Sequence, residues 1–392
     1  MIIITFCLLM SATVGAGEPF FRQRFLFGEN EQGYDNFRIP AIVVTPKGTI
    51  LAFCEGRSLD SDTGDIDLIM TRSFDNGTTW EPIRVVRNDG LNACGNPCPV
   101  VDRETGTVFL VHTHNYGFEH ESEIIKGTSQ GTRRVWVTGS SDEGETWTEP
   151  VEITASTKAP NWTWYATGPG VGIQLASGRL IVPCDHTEAK TYFSKAHVIY
   201  SDDHGDTWRL GGTVDANFLA EPQVVELADG TLMLNCRNCD SRLFFVMPFP
   251  TIDHVTHFRT VVTSANGGLS WGEAYQDPVL TEPGFHGCQE SILRYTTMKS
   301  HGRNRLLFSY PAGRERREKM TVRLSYDEGI TWPIARMIDP GPSGYSCLAI
   351  LSDGTIACLH ERFTGSPNDQ MALSLFNLEW LSGGADSLPD AR

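Results

Sequence analysis

One eight-residue stretch, Ser201-Asp-Asp-His-Gly-Asp-Thr-Trp208, indicates the fold because its pattern recurs along the chain. We call each copy of Ser-x-Asp-x-Gly-x-Thr-Trp a box. The boxes are Ser73–Trp80, Ser140–Trp147, Ser201–Trp208, the variant Ser264–Trp271 and Ser325–Trp332. In each box the Asp can bond the backbone amides of its own turn, the Gly supplies an unusual φ, and the Trp packs between layers. The boxes therefore predict structural turns rather than ligand sites, also in the variant, where Asn266 replaces the Asp.

The boxes recur roughly every 63 residues, and a chain of 392 residues has room for six such repeats. Apolar runs also flank six glycine-containing turns, which predict antiparallel hairpins. These turns are Lys47-Gly48, Thr105-Gly106, Ser177-Gly178, Asp229-Gly230, His301-Gly302 and Asp353-Gly354. The period predicts an all-β fold, a six-bladed β-propeller with four antiparallel strands per blade, in which one blade lacks a box.

Composition and the amino terminus exclude several classes of protein. The net charge of −16, with no basic run, argues against binding to nucleic acid or to an anionic membrane surface. An apolar run, Ile2–Met10, followed by Val14-Gly-Ala16, predicts a signal peptide over residues 1–16, although the usual basic start is missing. We therefore expect one exported domain over residues 17–392, periplasmic, extracellular or lysosomal depending on the organism, with no transmembrane segment.

Two patterns resemble metal sites but do not satisfy their geometry. Cys236-x-x-Cys239 has a zinc-like spacing, yet residues three apart on a strand face opposite sides. The polar loop Ser58–Asp67 resembles a calcium loop but has Thr71 at the position of the bidentate Glu. We expect buried thiols or a local disulfide, and neither a metal nor a cofactor.

Two hairpins place polar side chains in matching positions. Glu221 lies eight residues before Asp229, and Arg237 lies seven residues after Gly230, so the carboxylate and the guanidinium should meet at the open end of the hairpin. Tyr345 likewise lies eight residues before its own Asp-Gly turn. The matching register predicts that Tyr345 and Glu221 emerge at the same rim of the ring.

Nearly the whole of the chain after residue 16 resembles the exo-α-sialidases of the Asp-box propeller type. The resemblance rests on Phe37-Arg-Ile-Pro40, the five boxes, Glu221 sixteen residues before Arg237, and Gly344-Tyr-Ser346. It implies a central pocket that binds sialic acid. It also implies retaining hydrolysis of terminal sialic acids on glycoproteins, glycolipids or oligosaccharides, without a cofactor.

The same resemblance implies a role for each arginine. Arg38, Arg237 and Arg317 would hold the carboxylate of the sugar, with Arg314 and Arg316 as alternatives for the third position. Three guanidinium groups around one carboxylate are chemically reasonable, because their planar forks form charge-assisted and often bidentate hydrogen bonds.

The catalytic roles are also implied by the resemblance. Tyr345 would be the nucleophile, with Glu221 as its base, and Asp62 would be the acid/base, with Asp60 as the alternative in the same loop. Arg57 and Glu55 would line the pocket.

Two other functions fit the same fold. A non-catalytic propeller could bind glycans and use the boxes as scaffold only, although adhesion does not require a nucleophile pair. A trans-sialidase would transfer the sugar to an acceptor instead of water; the lack of an added lectin domain makes this second function the less favoured one.

Overall fold

The computed structural model describes residues 17–28, 33–59, 61–238, 258–284, 286–363 and 370–389. The first half contains β1 (Phe21–Phe27), β2 (Asn36–Val44), β3 (Ile50–Arg57), β4 (Ile66–Ser73), β5 (Arg84–Arg87), β6 (Ala93–Val101), β7 (Val108–Asn115), α1 (Glu121–Lys126), β8 (Arg134–Ser140), β9 (Val151–Glu152), α2 (Thr154–Thr157), β10 (Trp162–Thr167), β11 (Ile173–Gln174), β12 (Leu180–Glu188), β13 (Ser194–Ser201) and β14 (Arg209–Thr213). The second half contains β15 (Leu219–Glu226), β16 (Leu232–Asn238), β17 (Phe258–Ser264), β18 (Tyr275–Thr281), β19 (Ser291–Thr296), α3 (Met298–His301), β20 (Arg305–Pro311), β21 (Glu318–Ser325), β22 (Ile334–Ile350), β23 (Ile356–Arg362), β24 (Gln370–Phe376) and α4 (Leu378–Ser382).

The strands form six antiparallel units, the blades of a β-propeller, as the repeat predicted. Blade 1 is β2–β5, blade 2 is β6–β9, blade 3 is β10–β14, and blade 4 is β15–β18. Blade 5 is β19–β21 with the first part of β22, and blade 6 is the rest of β22 with β23, β24 and β1. Contacts between inner strands run from β2 to β6, β11, β12, β15, β19 and β22 and return to β2, which closes the ring.

The ring closes through β1, a feature that the repeat did not predict. The first strand pairs with the last one, with Phe21 opposite Phe376, and so becomes the outer strand of blade 6. This blade has no box after β24 and has the short helix α4 instead. The two ends of the described chain are therefore joined by backbone hydrogen bonds within a single sheet.

Every box forms the local hydrogen-bond network that its residue types favour. In the first box, Ser73 Oγ donates to Asp75 Oδ1 at 2.9 Å, and Asp75 accepts from the backbone and the hydroxyl of Thr79 at 2.8 and 2.6 Å. Asn266 of the variant box still accepts from the backbone of Ser270 at 2.9 Å. The boxes are structural turns, and the variant keeps their geometry.

The fourth residue of a box also connects its blade to the hairpin turn of the preceding blade. His204 Nδ1 donates to Asp102 Oδ2 at 2.8 Å, and Glu328 accepts from the backbone of Ala228 at 2.9 Å. Glu143 accepts from the hydroxyl of Thr45 in the same way. We call this side of the ring the turn end.

At the opposite side, the pocket end, the inner strands carry β-bulges. At each bulge, two residues of the inner strand lie opposite one residue of the neighbouring strand. The four bulges lie between Arg38 and Ala41, between Gly95 and Cys98, between Ala220 and Gln223, and between Ser343 and Ser346. The first bulged residue has a positive φ in three of them, at Ile39 (64°), Asn96 (53°) and Glu221 (38°). Bulges re-aim side chains, and these bulges provide the residues of the site described below.

The cysteines agree with the expectation of buried thiols rather than with that of a local disulfide. The eight cysteines among the described residues are buried thiols that form no disulfide with one another; they are Cys54, Cys94, Cys98, Cys184, Cys236, Cys288, Cys347 and Cys358. The zinc-like partner Cys239 and the predicted signal peptide lie outside the described residues. Within the described ranges, no helix has the length and apolar character needed to cross a membrane.

Candidate active site

A cavity of about 280 Å³ lies at the pocket end, at the centre of the ring. The structure brings all eight residues singled out from the sequence to its wall: Arg38, Glu55, Arg57, Asp62, Glu221, Arg237, Arg317 and Tyr345. They come from blades 1, 4, 5 and 6 and from the loops beside these blades. The sequence could name these residues, but only the closed ring makes them neighbours.

Tyr345, Glu221 and Arg237 form one hydrogen-bonded group. The hydroxyl of Tyr345 donates to Glu221 Oε1, Arg237 forms an ion pair with Glu221 Oε2, and Arg237 Nη1 donates to the Tyr345 oxygen at 3.0 Å. Arg237 is the Cα partner of Ala220, next to the bulge that holds Glu221. The carboxylate and the guanidinium thus meet at the open end of the hairpin, as the register predicted.

The environment keeps the phenol protonated until a base removes its proton. Tyr345 and Glu221 are 6% and 7% exposed. Burial raises the pKa of Tyr345 well above its usual value, and the negative charge of Glu221 raises it further. A neutral hydroxyl that donates to a carboxylate has the geometry of a nucleophile beside its general base.

Two further arginines, Arg38 and Arg317, lie beside this group. The guanidinium carbons of Arg38 and Arg317 lie 5.6 and 5.4 Å from the centre of the Tyr345 ring. Backbone carbonyls orient two of the side chains: Arg237 Nε donates to the oxygen of His286 at 2.9 Å, and Arg317 Nε donates to that of Gly287 at 3.0 Å. The three cations face one space that suits a carboxylate.

The structure also separates the candidates for the third arginine. Arg317 lines the cavity, whereas Arg314 and Arg316 are exposed. The side chain of Arg316 pairs instead with Glu318 at 3.8 Å. The choice of Arg317 therefore agrees with the position of the three side chains.

Glu361 is a site residue that the sequence analysis missed. Its carboxylate accepts from Arg38 Nε at 2.7 Å, from the backbone of Ile39 at 3.0 Å and from the backbone of Tyr345 at 2.9 Å. Burial acts to raise its pKa, but the charge of Arg38 and the hydrogen bonds from Arg38, Ile39 and Tyr345 together hold the pKa below its usual value. The available signal was its position in β23, close to the position that Arg237 has in β16.

The opposite wall carries Asp62 and its neighbours. Arg57 donates to Asp62 Oδ1 at 2.7 Å and to Glu55 Oε2 at 2.8 Å. The Asp62 side chain is 72% exposed and is therefore accessible to a substrate. Partial removal from water acts to raise the pKa of Asp62, but the charges of Arg57, Arg38 and Arg133 and the hydrogen bond from Arg57 together lower it below its usual value. The alternative residue, Asp60, lies outside the described residues.

A second pair of missed residues completes this wall. The guanidinium carbon of Arg133 lies 3.9 Å from the ring centre of Trp164, and Arg133 Nη2 donates to Asn96 Oδ1 at 2.7 Å. Burial lowers the pKa of Arg133 to about 10. Trp164 lies in β10, whose aromatic and threonine side chains suit a strand.

Among the described residues, no group of three or more His, Cys, Asp or Glu side chains is placed to hold a metal ion. Carboxylates, guanidinium groups and the phenol of Tyr345 supply most of the polar side chains of the cavity wall. Such a set can bind an anion, transfer protons and supply an oxygen nucleophile.

Comparisons with known proteins give the family. A family model described as a BNR repeat-like domain matches residues 48–358. The sialidase of Micromonospora viridifaciens is 34% identical over 94% of this chain, and the exo-alpha-sialidase of Arthroderma benhamiae is 31% identical over 91% of this chain and 86% of its own length. The chain belongs to the exo-α-sialidase family. The resemblance seen in the motifs is thereby confirmed.

Solved sialidase structures share the fold. A Hadza microbial sialidase superposes with a TM-score of 0.78 at 28% identity, covering 92% of this chain and 69% of the other one. The chain spans 55% of the length of the Micromonospora sialidase and 62% of the length of the Bacteroides fragilis sialidase that it matches.

Proposed function

We propose that this chain is an exo-α-sialidase, which hydrolyses terminal sialic acids from glycoproteins, glycolipids or oligosaccharides with retention of anomeric configuration. The observation that carries the proposal is the hydrogen bond from Tyr345 to Glu221 inside a pocket with three arginines. A glycan-binding propeller would need the arginines but not a buried phenol paired with a carboxylate.

Substrate binding uses the three cations. The carboxylate of the sugar binds to Arg38, Arg237 and Arg317, which places the adjacent anomeric carbon above Tyr345. Glu361 holds Arg38 in position and also fixes the backbone of Tyr345, so one buried carboxylate aligns a binding residue with the nucleophile.

In the first step the Tyr345 oxygen attacks the anomeric carbon while Glu221 takes the phenolic proton. The bond from that carbon to the leaving oxygen breaks, and Asp62 donates a proton to the departing oxygen. Asp62 can hold this proton because the bound sugar carboxylate offsets the charge of Arg38, which otherwise lowers the pKa of Asp62. A tyrosine suits this substrate, because a neutral attacking group beside a carboxylate base avoids repulsion from the carboxylate of the sugar. Sialidases are a known exception to carboxylate nucleophiles among glycosidases.

In the second step water attacks the same carbon as Asp62 takes a proton from the water. The bond to Tyr345 breaks, and Glu221 returns the proton to the phenolate. Two displacements at one carbon give net retention. The pair Tyr345–Glu221 is used in both steps, so any change in its alignment should affect turnover more than binding.

The test uses two reagents on the purified chain. Release of umbelliferone from an umbelliferyl sialoside establishes the activity; no release contradicts the proposal. A fluorinated sialosyl fluoride should then trap the intermediate, since fluorine slows its breakdown. Peptide mapping should find the label on the peptide that contains Tyr345, and a label on Glu221 instead would contradict the mechanism. Lactose added to the assay tests for transfer, because a trans-sialidase would form sialyl-lactose.

Export and domain organisation belong to the same proposal. We infer that residues 1–16 are removed on export and that residues 17–392 act as one domain, supported by the pairing of β1 with β24. Amino-terminal sequencing of the exported protein should begin at Gly17. A protein that retains Ile2–Met10 would contradict the processing.

A further inference from the structure

A buried carboxylate in blade 3 contacts the backbone of Glu221 from outside the cavity. Asp185 lies in β12, is fully buried and does not line the cavity. Its Oδ1 accepts from the backbone N–H of Glu221 at 3.1 Å. Glu221 is the first residue of its bulge and has a φ of 38°, a conformation that non-glycine residues rarely adopt and that the surroundings must hold in place.

The same contact recurs at two other junctions between blades. Glu55 of β3 accepts from the backbone of Asn96 at 2.7 Å, and Glu361 of β23 accepts from the backbone of Ile39 at 3.0 Å. In each case a buried carboxylate on the second strand of one blade binds the first bulged residue of the next blade. All three bulged residues have a positive φ. The three contacts thus share one geometry at the pocket end, in which a buried carboxylate accepts from the N–H group of a bulged residue.

We propose that Asp185 is a positioning residue of this sialidase, which holds the backbone of Glu221 so that its carboxylate meets the hydroxyl of Tyr345. The inference rests on the proposed function. Asp185 acts on Glu221 as a hydrogen-bond acceptor, since the contact is to a neutral N–H group. Loss of the acceptor leaves Glu221 free to relax its φ, which moves the base away from the phenol.

The expected effect is on turnover. A displacement of about 1 Å in a catalytic group can cost about 100-fold in rate. Asp185→Ser, whose shorter hydroxyl cannot reach the N–H group, should lower kcat by about 100-fold. It should change KM by less than about threefold, because Arg38, Arg237 and Arg317 keep their contacts to other residues. Asp185→Asn retains an acceptor oxygen of the same length and should retain kcat within about threefold.

Asp102 provides the matched control. It is also a fully buried carboxylate, and it accepts from two residues of the next blade, Gln174 at 2.7 Å and His204 at 2.8 Å, but at the turn end. Asp102→Ser should lower the free energy of unfolding and leave kcat per folded molecule unchanged. The comparison separates a loss of alignment from a general loss of stability.

The experiment measures kcat and KM on the umbelliferyl sialoside, and the rate of covalent labelling by the fluorinated sialosyl fluoride, for the folded fraction of each variant. A fall in both kcat and labelling rate in Asp185→Ser, with recovery in Asp185→Asn, supports the inference. Wild-type turnover in folded Asp185→Ser, or an equal loss in Asp185→Asn, overturns it while the proposed function stands. If Asp185→Ser does not fold, a wild-type labelling rate in Asp185→Ala overturns it and a slowed rate supports it. An inactive wild-type protein would instead overturn the proposed function.

Discussion

The two ends of the propeller satisfy their polar groups in different ways. At the turn end, the Asp of a box bonds residues of its own eight-residue stretch, as Asp75 does with Thr79. At the pocket end, partners lie far apart in the chain: Arg38 and Glu361 are separated by 323 residues, and Tyr345 and Glu221 by 124. The box turns are thus built by local sequence and are then joined to the preceding blade, whereas the pocket exists only once the ring has closed.

Residues with a positive φ occur at both ends. The fourth residue of every box has one; Asn76 is of a type that tolerates it, whereas Glu143 and Glu328 disfavour it. At the pocket end Ile39 and Glu221 disfavour it in the same way. Such strain must be compensated by surrounding contacts. What differs is the position of the cavity, so we expect changes at the pocket end to affect turnover and changes at the turn end to affect stability.

The largest effect is expected for Tyr345→Phe. Removal of the hydroxyl removes the nucleophile and the donor to Glu221, but the ring still fills its buried position. We expect kcat to fall by about 10³-fold or more and the free energy of unfolding to change by less than about 1 kcal/mol. Assays with the umbelliferyl sialoside and urea denaturation measure the two quantities, and a variant that keeps more than a tenth of the activity would contradict the assignment.

Trp208→Ala should show the opposite pattern. Trp208 is 3% exposed and packs edge-on against Phe109, with ring centres 6.1 Å apart. Truncation of a buried aromatic side chain costs about 3–5 kcal/mol. Denaturation should show this loss, while kcat per folded molecule stays at the wild-type value because the box lies at the turn end. A selective loss of kcat in the folded fraction would break the division between the two ends.

The same division explains what could be read from the sequence. The boxes and the six glycine turns are local patterns, and they gave the number of blades. The register around Asp229 and Asp353 was sufficient to bring Glu221, Arg237 and Tyr345 to one rim, since hairpin pairing is also local. Glu361, Asp185 and the pairing of β1 with β24 depend on which blades become neighbours, and a pattern within one repeat contains no information about this.

The resemblance to a family supplied what the local patterns did not. Nothing in the spacing of Arg38, Asp62 and Arg317 places them in one cavity, and the family motifs alone suggested it. Trp164 and Arg133 were missed for the same reason. Neither lies in a family motif: Trp164 reaches the cavity from β10, and Arg133 reaches it from the position directly before β8.

Asp62→Ala should distinguish two classes of substrate, those whose leaving oxygen needs a proton and those whose leaving oxygen does not. As the acid, Asp62 is needed only where the leaving oxygen requires a proton. We expect kcat/KM on sialyl-lactose to fall by about 100-fold, with a much smaller loss on the umbelliferyl sialoside, whose aryl oxide leaves without protonation. Asp65→Ala, in the same loop, is the matched control. Equal losses on both substrates would point away from Asp62, and Asp60→Ala should then be measured in the same way.

The smallest effect is expected at the contact between His204 and Asp102, where the turn end itself responds to pH. His204 donates to Asp102, and the hydrogen bond and charge of Asp102 raise the pKa of His204 above its usual value. A group whose pKa is raised on folding adds stability that is fully present below its unfolded pKa of about 6.5 and is lost as pH rises through the folded pKa. Since the side chain is 48% exposed, the contribution should be small.

His204→Asn is the variant that isolates this contribution, because Asn tolerates the φ of 57° and occupies the same box position at residue 76. The difference in free energy of unfolding between wild type and variant should be larger at pH 5.5 than at pH 9, while kcat per folded molecule is equal in the two proteins at each pH. Asp102→Asn removes the charge that raises the pKa, so the same His204 substitution made in that background should lose its pH dependence. If the difference between wild type and His204→Asn is the same at both pH values, the charge on His204 does not stabilise this contact, and the blades are joined there by packing and neutral hydrogen bonds alone.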